Sequence, residues 1–185
     1  AEAVKSGSFV ENGYNGALLV SDVDMTGKSW ESLVGYKSVF EGRNKTIKGL
    51  TVPLFGENTV ATISNVSVEG NLVEEANGKV GLIARSLSVD GDLVGTIFNC
   101  SAIGTIEYKN STLQVDENFD TINVGGIVGG VYGGSVSLSE SYVSVLVTTA
   151  AGADAINKEY TPCIGGVVGY ACKKDDKLPE VVENT

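Results

Sequence analysis

The sequence predicts an all-β chain built as a solenoid of stacked β coils, and three observations carry that prediction. With 26 Val, 10 Ile and 13 Thr, 49 of the 185 residues are β-branched, beside 24 Gly and only 3 Pro, a composition suited to pleated strands. Apolar residues almost nowhere recur at the i, i+3, i+4, i+7 spacing of an amphipathic helix. Two short patterns also repeat along the chain in strict alternation, which is the mark of a coil-stacking architecture.

The first 40 residues differ from the rest. Ala17-Leu18-Leu19-Val20 and Val23-Asp24-Met25 read as short strands, followed by a turn at Thr26-Gly27-Lys28 and the only tryptophan, Trp30. An atypical start suits a capping segment, because a solenoid must cover the exposed edge of its first coil. Asp22 and Asp24 share one strand face and supply the polarity of such a cap.

The first repeated pattern is a glycine-rich apolar strand: Val52-Pro53-Leu54-Phe55-Gly56, Val80-Gly81-Leu82-Ile83-Ala84, Val124-Gly125-Gly126-Ile127-Val128-Gly129 and Ile164-Gly165-Gly166-Val167-Val168-Gly169. Aligning Phe55, Ile83, Val128 and Val168 gives spacings of 28, 45 and 40. The second reads apolar-x-Asn-x: Ile63-Ser64-Asn65-Val66, Ile97-Phe98-Asn99-Cys100 and, with Glu140 in the asparagine place, Leu138-Ser139-Glu140-Ser141. Asn65, Asn99 and Glu140 stand 34 and 41 apart. Stacked asparagines would form a buried ladder that satisfies turn backbone groups, and Glu140 would interrupt it and bend the third unit.

A single coil is too thin to have a core, so inward Val, Ile, Leu and Phe must stack coil on coil. The spacings place insertions at about 105–123 and 148–162, polar enough to leave the solenoid as hairpins or loops. Near the end, Val182-Glu183-Asn184-Thr185 again fits the second pattern, in step with the earlier intervals. A new strand therefore starts where the sequence stops, and the chain is expected to be part of a longer protein.

Composition excludes several functions. A formal charge of −10 opposes phosphate neutralisation, so no nucleic-acid partner is expected. No apolar run reaches membrane-spanning length, so no membrane insertion is expected. The chain has no histidine, which removes His-based catalytic triads and His-ligated zinc. Its three cysteines read as small buried thiols, and a bridge between Cys163 and Cys172 would need a sharp turn in the glycine-rich stretch between them.

The remaining chemistry is sparse. Arg85, with Asp90 and Asp92 on a shared face of an extended stretch, would be the centre of a lyase-like site, but the acids are few. Asp116, Asn118 and Asp120 open like a calcium loop, yet Thr121 and Ile127 stand where an EF-hand needs Gly and Glu. No cofactor is therefore expected, with calcium at those three residues the one candidate metal. Tyr108 and Tyr160, beside the insertions, are the candidate ligand-binding residues, whereas Tyr132, Tyr142 and Tyr170 do not fall at matching places in the repeat. Sequons at Asn44, Asn65, Asn99 and Asn110 read as chance, since two are the ladder asparagines expected to be buried.

One set of motifs points further. Asp22-Val23-Asp24-Met25-Thr26-Gly27 with Trp30, then Phe40-Glu41-Gly42, Thr46-Ile47-Lys48-Gly49-Leu50, Leu54-Phe55-Gly56 and Ile63-Ser64-Asn65-Val66, together resemble the GLUG-motif repeat proteins of bacterial cell surfaces. The likeness covers about residues 17–104 well and 124–170 more loosely, with departures at Val52-Pro53-Leu54, Ala84 and Glu140. It implies a right-handed parallel β-helix, as in adhesin-like surface proteins and the accessory region of some immunoglobulin-A-cleaving metallopeptidases. On that basis residues 1–40 form the N-terminal cap and 41–185 the β-helix repeats. No HExxH motif is present, so the peptidase chemistry does not carry over. The expectation is a non-catalytic, extracellular, adhesin-like or stalk module at the cell surface that meets a host or matrix glycan or protein. The alternative is a polysaccharide-degrading or enzyme-associated β-helix domain.

Overall fold

A computed structural model describes residues 10–11, 14–75, 78–110, 122–149, 163–174 and 178–182. Among these residues the regular structure is entirely strand. The opening strands are β1 (Val10–Glu11), β2 (Tyr14–Leu18), β3 (Val23–Asp24), β4 (Val39–Leu50) and β5 (Thr62–Glu74). Then come β6 (Lys79–Val80), β7 (Ala84–Leu87), β8 (Val89–Asp90), β9 (Leu93–Val94), β10 (Thr96–Phe98) and β11 (Ser101–Asn110). The last are β12 (Asn123–Gly125), β13 (Val128–Tyr132), β14 (Ser135–Ser137), β15 (Glu140–Thr149), β16 (Cys163–Gly165), β17 (Val168–Cys172) and β18 (Glu180–Val182).

From β5 onward the chain visits three sheets repeatedly in one order. The largest sheet contains β5, then β10 with β11, then β14 with β15, then β18; a second holds β6, β12 and β16; a third holds β7, β13 and β17. All of these pairings are parallel. Each coil is therefore hydrogen-bonded to the next at corresponding points, the arrangement that β-branched strands separated by glycine-rich corners favour. Among the described residues two pairs are antiparallel: β1 with β2, at one edge of the large sheet, and the hairpin of β8 with β9.

The register explains how alternation becomes a core. Phe40, Ile63, Ile97 and Val136 pair in one file across four coils, and each is at most 4% exposed. Ile47, Val68 and Ala102 form a second file, and Leu72 with Ile106 a third, all of them buried. Burying each such Leu, Ile or Val contributes roughly 1.5–3 kcal/mol. The files adjoin Val80, Val124, Ile83, Ile127 and Val128 from the glycine-rich strands in one continuous core. At the β4 end the core is filled by aromatics, with Phe40 edge-on to Phe55 at 5.2 Å and Tyr36 tilted against Phe55 at 5.4 Å.

Within each long segment the inward parity changes at one residue. Ile63 is buried, and so are Val66 and Val68, a three-residue step that strict alternation cannot give. The residue in between, Asn65, has φ of 54°. The left-handed conformation turns the backbone at the corner and resets which side chains face inward. Asn99 (φ 50°) and Leu138 (φ 49°) repeat this corner in the next two coils. In the β4 coil the corner is wider, with Arg43 and Asn44 both left-handed and a register shift between Glu41 and Lys45.

This register corrects two alignments made from sequence. Ser101 pairs with Glu140, so the residue matching Asn65 and Asn99 is Leu138, not Glu140. A slip of two leaves every side chain on its own face, so period-2 patterning could not detect it. Similarly, Val128 pairs with Val168 as expected but with Ala84 rather than Ile83. Leu82 stands where the later coil has Gly126, which displaces the sequence alignment by one. The stretch holding Asp90 and Asp92 is likewise not one extended strand: β8 and β9 fold back on each other, and Asp92 lies in the turn between them.

Among the three cysteines, Cys100 is buried while Cys163 and Cys172 are half-buried, and all are free thiols. The insertions expected at about 105–123 and 148–162 begin too early: residues 105–110 continue β11, paired with β15 and for most of its length with β5, residues 148–149 end β15, and Asn123 opens β12. Residues 111–121 and 150–162 lie outside the described residues.

Gly104 tests the coil spacing. Its φ is 144°, and a Cβ there would drive into the carbonyl oxygen of Gly70 in the neighbouring coil. Gly104→Ala is expected to destabilise the fold by more than about 2 kcal/mol in urea unfolding. Gly91→Ala, left-handed but facing open space, is expected to cost about 1 kcal/mol.

Candidate functional site

The left-handed corners build a polar cleft on the outside of the coils. Asn65 and Asn99 turn outward at successive corners, and the Asn99 Nδ2 donates to the Asn65 Oδ1 at 2.7 Å. The Asn65 Nδ2 in turn donates to both carboxylate oxygens of Glu41, at 3.1 and 3.0 Å. Beside this row runs a second, in which the Ser101 hydroxyl donates to the Ser67 hydroxyl at 2.8 Å. Glu140 extends that row into the third coil. The cleft has a volume of about 300 Å³ and is lined by Asn44, Asn65, Ser67, Asn99, Ser101 and Glu140, with Leu138 beside the third corner.

The hydrogen-bonded rows end on carboxylates in defined settings: Glu41 beyond Asn65, outside the cleft lining, and Glu140 within it. Partial burial pushes the Glu41 carboxyl upward, but the Arg43 N–H at 2.7 Å, the Ser64 hydroxyl at 2.8 Å, the Asn65 amide and the Arg43 charge together outweigh it. Glu41 is therefore held below the usual carboxylate range. At the other end the exposed Tyr142 hydroxyl donates to the Glu140 Oε2 at 3.1 Å, and that bond to a carboxylate raises the tyrosine's own pKa. The Cys100 thiol is pushed up to about 11, first by burial, so it stays protonated and unreactive at neutral pH.

The asparagine ladder expected from sequence exists over Asn65 and Asn99, but on the outside: Asn99 is exposed and Asn65 half-buried. The Asn-x-Ser triplets at Asn65 and Asn99 follow from coil geometry. Asparagine tolerates the left-handed corner, and serine two residues on belongs to the adjacent polar row.

Other candidates fall in different places. Tyr108 is 0% exposed, with its ring in the core near Glu74 and Arg85. Burial, followed by the Glu74 charge, raises its pKa, while Arg85 opposes them. Tyr160, Asp116, Asn118 and Asp120 lie outside the described residues. No cluster of three or more His, Cys, Asp or Glu able to hold a metal occurs among the described residues, and no described helix is long and apolar enough to cross a membrane.

Arg85 is engaged structurally. Its guanidinium pairs with Glu74 at 2.6 Å, both side chains being 12% exposed, and it also donates to the Lys79 carbonyl at 3.2 Å. These contacts tie β5, β6 and β7 together, and removing one member of such a buried pair leaves the other charge uncompensated. Asp90 pairs instead with Lys37 at 2.5 Å, so Arg85, Asp90 and Asp92 do not form the arrangement expected for a lyase-like centre. Asp22 accepts the Thr46 N–H at 2.9 Å. Asp24 accepts the Thr26 N–H at 2.9 Å and pairs with Lys48 at 3.2 Å. Hydrogen bonds from the Thr26 side chain and N–H, then Lys48, bring the Asp24 pKa down to about 2.

Sequence spacing also concealed an aromatic pair. Tyr170 pairs in register with Gly130, and Tyr132 with Cys172, yet the two tyrosine rings meet at 6.2 Å, with the Lys79 Nζ 5.4 Å from the Tyr132 centroid. Side chains leaning along the strand bridge the offset.

No protein-family model matches the chain, and no solved structure does. The chain is similar to an immunoglobulin A1 protease of Streptococcus pneumoniae (strain ATCC BAA-255 / R6), with 27% identity over 135 residues, covering 63% of this chain. A second immunoglobulin A1 protease of Streptococcus pneumoniae shows the same identity and coverage. The chain spans only 7% of the length of these relatives.

Two measurements check this geometry. Leucine in the left-handed region is strained by about 1–2 kcal/mol, so Leu138→Asn is expected to raise stability by about 1 kcal/mol in chemical unfolding, where a neutral or negative effect would refute the corner assignment. Because the folded pKa of Glu41 is depressed, its contribution is present above the unfolded value, about 4.3, and is lost as pH falls through the folded value. Glu41→Gln is expected to flatten the stability profile in that acidic window; an unchanged slope would show that the carboxylate is not held as described.

Proposed function

We propose that the chain is a non-catalytic module of a bacterial cell-surface protein, a right-handed parallel β-helix of the GLUG-repeat type that serves as an adhesin-like binding surface or stalk. The observation that carries this reading is the coil-by-coil parallel register, which gives a rigid scaffold with outward-facing corners. Loops and corners on a rigid repeat frame are favoured places for binding. An extracellular position is supported by the likeness to immunoglobulin A1 proteases, because an enzyme acting on an antibody meets it outside the cell. The commitment of Arg85 to Glu74 supports the non-catalytic part.

A second reading, an enzyme-associated β-helix, is favoured by one observation: the similarity is to proteases of which this chain spans 7%. In that case the module is an accessory segment and the chemistry lies elsewhere in the polypeptide.

The test combines binding and turnover. The chain is applied to immobilised host matrix proteins and glycans, and in parallel to a polysaccharide panel with calcium. Reproducible binding without depolymerisation is expected. Depolymerisation that is lost in Arg85→Ala would overturn the non-catalytic reading.

A further inference from the structure

The cleft at the left-handed corners has a defined chemical selectivity. Its hydrogen-bond chains run one way and leave particular groups over. Asn99 gives its amide proton to Asn65 and Asn65 gives its own to Glu41, so the Asn99 Oδ1 is left as an acceptor facing the cleft. Ser101 donates to Ser67, and a hydroxyl that accepts in this way still has its own proton to donate. Glu140 keeps one carboxylate oxygen beyond the one bound by Tyr142, and the exposed Asn44 side chain contributes amide donors. Coils lie about 4.8 Å apart, so donors and acceptors recur at short, regular intervals across three coils.

These features select a ligand class. Among the lining residues there is no Lys or Arg, and Glu140 is negative, so phosphate, sulfate and sialic-acid groups meet a lining that offers them no charge-assisted bond. One carboxylate falls short of the six to eight oxygens of a calcium site. About 300 Å³ lies at the lower end of small-molecule sites, and a lining of amides and hydroxyls suits vicinal hydroxyl groups rather than an apolar ligand. The exposed Tyr142, whose hydroxyl donates to Glu140, offers an aromatic face beside that carboxylate.

We infer that this cleft is a binding site for a neutral, hydroxyl-rich saccharide segment, with Asn99, Ser67 and Glu140 as its hydrogen-bonding residues. The inference rests on the surface-binding reading above and deepens it.

The probe is a panel of soluble neutral oligosaccharides with sialylated and sulfated counterparts, titrated by calorimetry against the chain and three variants. Asn99→Gly removes the amide while tolerating the left-handed corner; Ser67→Ala and Glu140→Gln remove the other two contacts, with thermal melts confirming folding. A neutral oligosaccharide is expected to bind, its acidic counterparts more weakly, and each variant is expected to lose about tenfold in affinity. Preference for the acidic sugars, wild-type affinity in all three variants, or no binding by any neutral saccharide would each overturn the assignment. Binding to a matrix protein without any saccharide binding overturns the cleft assignment and keeps the surface-binding reading, whereas binding to neither class overturns both.

Discussion

Everything in this molecule depends on parallel backbone pairing between coils, and that pairing requires each coil to turn at the same point. Asn65, Asn99 and Leu138 provide the turn by adopting left-handed backbone angles in three successive coils. Because the conformation changes the inward parity, Ile63 and Val66 can both point into the core although they are an odd number of residues apart. The apolar files, the outward asparagines and the row of serines are all consequences of that one backbone event. A coil without it would bring polar side chains into the core or lose its partners on one side.

Much of this was legible in the sequence. The β-branched composition announced an all-β fold, the last two glycine-rich strands match at Val128 and Val168 while the earlier ones are displaced by one at Ile83, and the 34-residue interval from Asn65 to Asn99 agrees with the register. Other features were not. The corner in the third coil was assigned to Glu140 because apolar and polar residues alternate with period two, and a slip of two is invisible to such a pattern. Leu138 carries no signal for a left-handed angle, since leucine rarely adopts one; only the pairing partners on either side reveal it. The hairpin that separates Asp90 from Asp92, and the meeting of Tyr132 with Tyr170, depend on backbone direction and side-chain lean, which spacing does not encode.

The charged groups divide into fasteners and surface. Glu74 and Arg85 are committed to each other inside a corner, and Glu41 is anchored by the first asparagine of the ladder. Both sets are held by partners within the fold. What stays available is the outer surface of the corners, where Asn99, Ser67 and Glu140 hold unused hydrogen-bonding capacity on a rigid frame. Those groups are what the proposed recognition role would use, with specificity set by which of them the frame leaves over.

The central claim is the register itself, and inter-strand nuclear Overhauser contacts between backbone protons test it most directly. The account predicts contacts linking Ser67 to Ser101 and Ser101 to Glu140. Contacts from Ser101 to Tyr142 instead, as the sequence spacing alone would have it, or antiparallel patterns between β11 and β15, would contradict it.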